Sequence, residues 1–168
     1  NARDVDLWMG TFSKTFASCG GYIAGEKAVV DYLKFTSPGF LYSVGMSPPV
    51  AGAALKVIEL MQKEPERIEK LHTNAALFLS LAQEHGLSTG FSAGIAVVPV
   101  IIGSSAKAAM LSNQLYENGI NVPPIVYPAV EERAARLRFF LSSAHTEEQI
   151  KFTIETVARE LANLNKEV

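Results

Sequence analysis

Lys14 is a lysine whose neighbours suit covalent chemistry at an amine. It follows an apolar segment, residues 5–9, and Thr11 stands three positions before it, while small residues lead from it to Gly20 and Gly21. A desolvated amine loses its proton and can attack an aldehyde to form a Schiff base. Small neighbours let a flat cofactor and its phosphate approach the backbone. Spacing alone favours a solvated surface lysine, because a lysine that follows a strand is usually a surface residue.

The other side chains with reactive groups indicate structural roles. His72 and His85 have no second ligand at a useful spacing, so we predict no metal site. His145 precedes the last predicted helix and is expected to form a local hydrogen bond. Cys19 is expected to fill a small buried space near the lysine loop. None of these residues is a candidate for catalysis.

The first part of the chain must place Lys14 in a loop between two strands. A turn signal at residues 37–39, which holds a proline and a glycine, separates the later segments. Ser47 before two prolines indicates a helix start. The predicted elements are strands over residues 5–9 and 22–24, a helix over 25–33, an extended segment over 40–45 and a helix from 48 to about 62.

The rest of the chain alternates strand and helix signals, as a small α/β unit does. Thr146 and Gln149 form a capping box that predicts the start of the last helix. The predicted elements are a helix from about 65 to 86, a strand over 95–102, a helix over 105–117, an extended segment over 120–127, a strand over 136–141 and a helix over 146–164.

Composition bounds the possible partners and compartment. The chain has 168 residues, 48% of them hydrophobic, and a formal net charge of -2, so it predicts a folded protein with no electrostatic footprint for nucleic acid. One cysteine cannot form an internal disulfide, and the longest apolar run, residues 95–102, is too short to span a bilayer. We therefore expect a cytoplasmic protein that binds small molecules and has no membrane span.

Blocks of sequence that follow one another along nearly the whole chain carry a more specific signal. They are Gly10-Thr11-Phe12-Ser13-Lys14 followed by Gly20-Gly21-Tyr22 and Gly25; Tyr42-Ser43 through Met46-Ser47-Pro48-Pro49; Arg136-Leu137-Arg138; and Ser142 through Ala144-His145-Thr146. In this order they resemble the motifs of the α-oxoamine synthases, a family of enzymes that depend on pyridoxal 5'-phosphate (PLP). The resemblance favours the functional interpretation of Lys14 over the surface one.

The resemblance implies cofactor-binding roles for three residues. Lys14 would be the catalytic lysine that carries PLP as a Schiff base, and Thr11 would donate its hydroxyl to the cofactor phosphate. Ser43 would reach the phosphate of the neighbouring subunit, because the active sites of this family lie at a dimer interface. Val44 and Gly45 stand where the family usually has hydroxyl or amide side chains, so this role extends to Ser43 and no further.

Arg138 would bind the substrate. The resemblance implies that it holds the carboxylate of an amino acid, a task for which a planar guanidinium offers two parallel donors. The alternative is a strand residue that pairs with Glu131 or Glu132. Arg136 falls on the same strand face by period-two alternation, and we assign it a structural role.

The resemblance also implies an architecture. The fold class would be α/β, the PLP-dependent transferase fold type I of the aspartate aminotransferase kind. Residues 1–62 would be the end of the large PLP-binding domain with the Schiff-base lysine, residues 63–86 a linking helix, and residues 87–168 the C-terminal small α/β domain. In the family, the acidic partner of the pyridine nitrogen, a ring stacked on the cofactor and further phosphate donors precede the lysine motif. The isolated chain is therefore expected to be an inactive fragment.

The implied activity is that of a PLP-dependent acyltransferase. It would condense a small amino acid with an acyl thioester, carried on coenzyme A or on an acyl carrier protein, to an α-amino ketone, usually with decarboxylation. The enzyme would be a homodimer formed through the missing half and the Ser43 segment. Two alternatives remain: another fold type I PLP enzyme, such as an aminotransferase or lyase, and a non-catalytic fragment or scaffold domain. The sequence does not select the amino acid or the acyl chain.

Overall fold

The structure, a computed structural model, describes residues 4–166. The chain divides into an N-terminal unit, which ends at Glu64, and a C-terminal unit, which begins at Pro65. The outermost residues of the predicted segments 1–62 and 87–168 lie outside the described residues. The assignment of these segments, and of the linking helix 63–86, to parts of a larger enzyme stays a prediction.

Within residues 4–64, the N-terminal unit has one β-hairpin and three α-helices. The hairpin is antiparallel and brings Gly10 opposite Tyr22. A Cβ atom at Gly10 would lie 2.4 Å from Cε1 of the Tyr22 ring, so any other residue at this position would require the ring to move. The elements are β1 Leu7–Thr11, β2 Gly21–Gly25, α1 Lys27–Thr36, α2 Pro38–Leu41 and α3 Pro48–Lys63.

One secondary-structure prediction in this unit is wrong. Residues 40–45 were expected to be extended, but α2 includes the first two of them. Pro38 is the first residue of this helix. Its fixed φ suits a first turn, and the backbone N–H that proline lacks would have no acceptor within the helix at that position. The helix α3 begins where the paired prolines predict, although the Ser47 side chain forms no capping hydrogen bond.

The C-terminal unit is a three-stranded antiparallel sheet covered by three helices. Its strand order is β3-β5-β4, so the strand that bears Arg138 is central. The predicted extended segment 120–127 contributes only a two-residue strand. The elements are α4 Glu66–Glu84, β3 Val97–Ile101, α5 Ser105–Glu117, β4 Pro124–Ile125, a 3-10 turn Glu132–Ala134, β5 Arg136–Phe140 and α6 Glu147–Lys166.

The core of the C-terminal unit lies between the sheet and its helices. Alternation along β5 turns Leu137 and Phe139 inward, and the Phe139 ring lies 4.9 Å from the ring of Phe78 on α4. The predicted capping box is present, since the Thr146 amide donates to Gln149 Oε1 at 3.0 Å and the Gln149 amide donates to Thr146 Oγ1 at 3.2 Å. The buried core residues are Phe78, Ala82, Leu87, Val98, Val100, Leu111, Leu115, Val122, Leu137, Phe139, Ile150, Ile154, Val157 and Leu164.

Candidate functional site

Lys14 lies in the loop that joins the two strands of the hairpin, as predicted. The Phe12 amide donates to the Gly20 carbonyl at 2.9 Å, and the Ser18 amide donates to the Phe12 carbonyl at 2.9 Å. The Lys14 carbonyl accepts from the Ala17 amide at 2.9 Å, and Ala17 has a positive φ of 46°. The lysine side chain is exposed on this closed loop. The loop therefore presents an accessible amine on a hydrogen-bonded frame.

Two residues with hydroxyl side chains, Thr11 and Ser13, precede Lys14 in the sequence. Thr11 Oγ1 lies 2.9 Å from Ser13 Oγ and also donates to the Gly20 carbonyl at 3.3 Å. Both side chains are exposed. Hydroxyl donors of this kind can bind phosphate oxygens. Sequence reasoning named Thr11 and missed Ser13, for which the signal was a second hydroxyl next to the lysine.

The donor set fits PLP, which offers an aldehyde to an amine and a phosphate to hydroxyl groups. A cavity of about 690 Å³ adjoins the hairpin, and Gly10, Thr11, Gly20 and Gly21 form part of its wall. Lys14 is not among the residues that line it. Because Lys14 is exposed, the described residues do not supply the desolvation that a neutral amine needs.

Ser43 is accessible in the segment between α2 and α3. Its hydroxyl donates to the Phe40 carbonyl at 3.2 Å, and the side chain is exposed. Val44, which follows it, is 95% exposed. This geometry leaves the Ser43 oxygen open to a ligand, while its predicted contact with a neighbouring subunit remains a prediction.

The prediction for Cys19 is wrong. The thiol is exposed, although the neighbouring Ser18 hydroxyl donates to the Val50 carbonyl of α3 at 3.5 Å. Among the described residues, no group of three His, Cys, Asp or Glu side chains could hold a metal ion. Within residues 4–166, no helix is long and apolar enough to cross a membrane.

Arg138 lies on the outer face of β5 and is exposed. Its guanidinium carbon lies 4.9 Å from the centroid of the Phe140 ring, two residues along the same strand. Phe140 also lines a cavity of about 400 Å³, with Phe152 and His145 elsewhere on its wall. Phe140 was not singled out from the sequence, although an aromatic residue two positions from an arginine shares its strand face.

The alternative role of Arg138 as an ion-pair partner of Glu131 or Glu132 is not seen. Within the described part of the chain, no carboxylate forms a salt bridge with Arg138. Glu132 instead accepts hydrogen bonds from the Ser105 hydroxyl and from the Ser105 amide, the latter at 2.7 Å. These bonds lower the pKa of Glu132. Arg136 has the predicted structural role, since its Nε donates to the Ala134 carbonyl at 2.7 Å.

The turn after β5 is fastened to α4 by Asn74, which sequence reasoning missed. Asn74 is fully buried, and its Nδ2 donates to the carbonyls of Ser142 at 2.8 Å and His145 at 2.9 Å. The local hydrogen bond predicted for His145 is present, because its Nδ1 accepts from the Ser142 amide at 3.2 Å. The available signal was a polar residue at a core-facing position, three residues after Leu71.

Comparison with known proteins supports the resemblance. Residues 1–157 match the family described as aminotransferase class I and II. The chain is 37% identical over 158 residues to a serine palmitoyltransferase of Sphingobacterium spiritivorum, covering 92% of this chain and 39% of that protein. It is 38% identical over 151 residues to an 8-amino-7-oxononanoate synthase of Thermosipho melanesiensis, covering 90% and 38%. The chain thus spans about two fifths of the length of these relatives.

Solved structures share the fold. A serine palmitoyltransferase of Sphingomonas wittichii superposes with a TM-score of 0.85 at 24% identity, covering 96% of this chain and 41% of the other. An 8-amino-7-oxononanoate synthase of Francisella tularensis gives 0.82 at 23% identity, covering 95% and 46%. The predicted α/β class and PLP-dependent transferase fold type I are therefore confirmed. With its likeness to the α-oxoamine synthases confirmed on the same relatives, the chain belongs to the aminotransferase class I and II family.

Proposed function

We propose that this chain supplies the C-terminal part of a PLP-dependent acyltransferase. The enzyme joins a small amino acid to an acyl thioester and forms an α-amino ketone, usually with loss of CO2. The observation that carries the proposal is the accessible Lys14, on a loop that also carries the paired hydroxyls of Thr11 and Ser13, in a chain that resembles serine palmitoyltransferases and 8-amino-7-oxononanoate synthases. In this enzyme the thioester is carried on coenzyme A or on an acyl carrier protein.

Lys14 would bind PLP through its Nζ, and Thr11 would donate to the phosphate. One of the solved structures that share this fold is serine palmitoyltransferase with a PLP internal aldimine. When bound, PLP withdraws electrons from the α-carbon of the amino acid. Ser43 would contact the phosphate held by a second subunit, so the working enzyme is a homodimer. Its exposed position between two helices is compatible with that contact.

Arg138 would orient the amino acid, and Lys14 would move its proton. Two parallel N–H groups of the guanidinium match the two oxygens of the substrate carboxylate. With the cofactor and the amino acid bound, the Nζ of Lys14 would accept the α-proton of the substrate as a general base. Because no carboxylate of the described residues pairs with Arg138, its donors remain available for this ligand.

The chain spans only about two fifths of its relatives, and we propose that it is inactive by itself. Its exposed lysine lacks the desolvating surroundings that a Schiff-base amine requires. The complete protein would act in the cytoplasm. Turnover by the isolated chain would refute this part of the proposal.

Borohydride reduction tests the lysine. The complete protein is incubated with PLP, reduced, digested and mapped by mass. We expect a phosphopyridoxyl group on Lys14, and its loss in Lys14→Ala. Lys27→Ala is the matched control, because Lys27 is an exposed lysine of the same unit that does not line the cavity beside the hairpin, and it should leave the adduct unchanged. An unmodified Lys14 in protein saturated with PLP would remove the central claim.

Product analysis tests the reaction class. The complete protein is supplied with an acyl-CoA and with glycine, L-serine or L-alanine, and released thiol is measured. An acyltransferase releases one thiol for each α-amino ketone formed. An aminotransferase would form a 2-oxo acid without thiol release, and a scaffold domain would give neither product.

A further inference from the structure

The guanidinium of Arg138 has one close partner on its strand, the ring of Phe140. The Cζ atom lies 4.9 Å from the ring centroid, within the range of a cation–π contact. Alternation along β5 requires both side chains to leave the sheet on the same face, and both are exposed there. The contact is thus a product of the strand geometry and of the two-residue spacing.

Little else restrains this arginine. Among residues 4–166, no acidic side chain forms an ion pair with it, and its backbone amide donates to the Pro123 carbonyl at 3.3 Å. A free arginine side chain samples many rotamers, and binding a carboxylate in two-point geometry must fix all of them. A ring that already holds the guanidinium lowers that entropic cost.

We propose that Phe140 is a positioning residue, whose ring holds Arg138 in the orientation that receives the carboxylate of the amino-acid substrate. The inference rests on the proposed function and deepens it. A ring is suited to this task because it attracts the cation without occupying its N–H donors, which an acidic neighbour would do. Phe140 acts on the substrate only through Arg138.

This role predicts a particular kinetic signature. Arg138 would hold the carboxylate equally well before and during the reaction, so loss of its support weakens binding uniformly. In Phe140→Leu, which keeps an apolar side chain and removes the ring, we expect KM for the amino acid to rise by about two- to fivefold with kcat little changed. Phe140→Tyr keeps the ring and should restore the original KM.

Phe152 provides a matched control. It is a phenylalanine of the same unit, 50% exposed against 51% for Phe140, and it lines the same cavity of about 400 Å³. Within the described residues, no cation lies over its ring. Phe152→Leu should therefore leave KM for the amino acid unchanged. An equal rise in both leucine variants would assign the effect to the cavity wall and overturn the inference.

The experiment uses the complete protein with acyl-CoA and the best of glycine, L-serine and L-alanine. If the wild type releases thiol and Phe140→Leu shows an unchanged KM, or a loss confined to kcat, the inference fails and the proposed function stands. If the wild type releases no thiol with any of the three, either from acyl-CoA or from an acyl thioester of an acyl carrier protein, the proposed function fails and the inference fails with it. The 1H chemical shifts of the Arg138 guanidinium, read from a 1H–15N spectrum, supply a second readout, because the ring shields these protons. We expect that shielding to vanish in Phe140→Leu and to persist in Phe152→Leu.

Discussion

The two units of this chain differ in how they are stabilised. The C-terminal unit encloses a continuous apolar core, in which Leu111 and Leu115 are fully buried. Within the described part of the N-terminal unit, Ala54 is the single buried residue, and side chains as large as Tyr42 remain 86% exposed. Apolar burial is the main source of folding free energy. The comparison teaches that the catalytic lysine of the proposal lies in the unit that stabilises itself least.

Separating the units should give the largest effect. We expect a fragment of residues 65–168 to fold and to protect the amides of its core strands from hydrogen exchange, because its core is its own. A fragment of residues 1–64 should exchange at nearly the rate of an unfolded chain. Comparable protection of the two fragments would contradict the contrast drawn above.

Matched leucine truncations sharpen the same comparison. Leu111→Ala in the C-terminal core should lower the free energy of unfolding by about 2–5 kcal/mol, because it leaves a cavity in a fully buried site. Leu55→Ala in α3, where the side chain is 64% exposed, should change it by less than about 0.5 kcal/mol. Urea unfolding followed by circular dichroism measures both values. Similar losses would show that the exposed Leu55 contributes as much stability as the buried Leu111, against the contrast between the units.

Asn74→Ala should destabilise the C-terminal unit by about 1–3 kcal/mol, since the carbonyls of Ser142 and His145 lose their buried donor. The control is Asn165→Ala, which removes an exposed amide that accepts from Lys107 at 3.1 Å. Its effect should stay within about 0.5 kcal/mol. Equal urea midpoints for the two variants would mean that Asn74 does not fasten the turn.

Acid should reveal the smallest effect. Hydrogen bonds from Ser105 lower the folded-state pKa of Glu132, so this carboxylate stabilises the fold above its unfolded pKa. That contribution disappears as the pH falls through the lowered folded value. In Glu132→Gln the unfolding free energy should therefore fall less between about pH 5 and about pH 3 than in the wild type. Parallel curves from urea titrations at each pH would exclude the contribution.

Much of the fold could be predicted from patterns that act locally. The helix α5 begins and ends at the predicted residues, and the Thr146 capping box forms both of its bonds. The short helix α2 was not predicted, and its last two residues were expected to be extended. A proline after Ser37 suits both a turn and the first turn of a helix. The local sequence is therefore compatible with both conformations, and α2 has no buried residue whose packing would favour one of them.

The candidate site was predictable where it depends on a motif and unpredictable where it depends on packing. Lys14 lies in the expected loop, since an apolar strand and a glycine pair enclose it. The exposure of Cys19 could not be read from its small neighbours, which favour burial only if a second layer covers them. Asn74 meets partners about seventy residues away, and Phe140 matters through a contact that requires the strand to be in place.

The Gly20 carbonyl in the lysine loop accepts two hydrogen bonds. It receives the Phe12 amide at 2.9 Å and the Thr11 hydroxyl at 3.3 Å at the same time. If the hydroxyl turns toward a phosphate, the amide bond still satisfies the carbonyl and the loop remains closed. Thr11 can therefore exchange one acceptor for another by turning its O–H about the Cβ–Oγ1 bond, which leaves Oγ1 in place to accept from the Ser13 amide at 3.2 Å. In the proposed role of Thr11, the loop would receive the cofactor phosphate through one bond rotation, and its backbone hydrogen bonds would stay in place each time the cofactor binds or leaves.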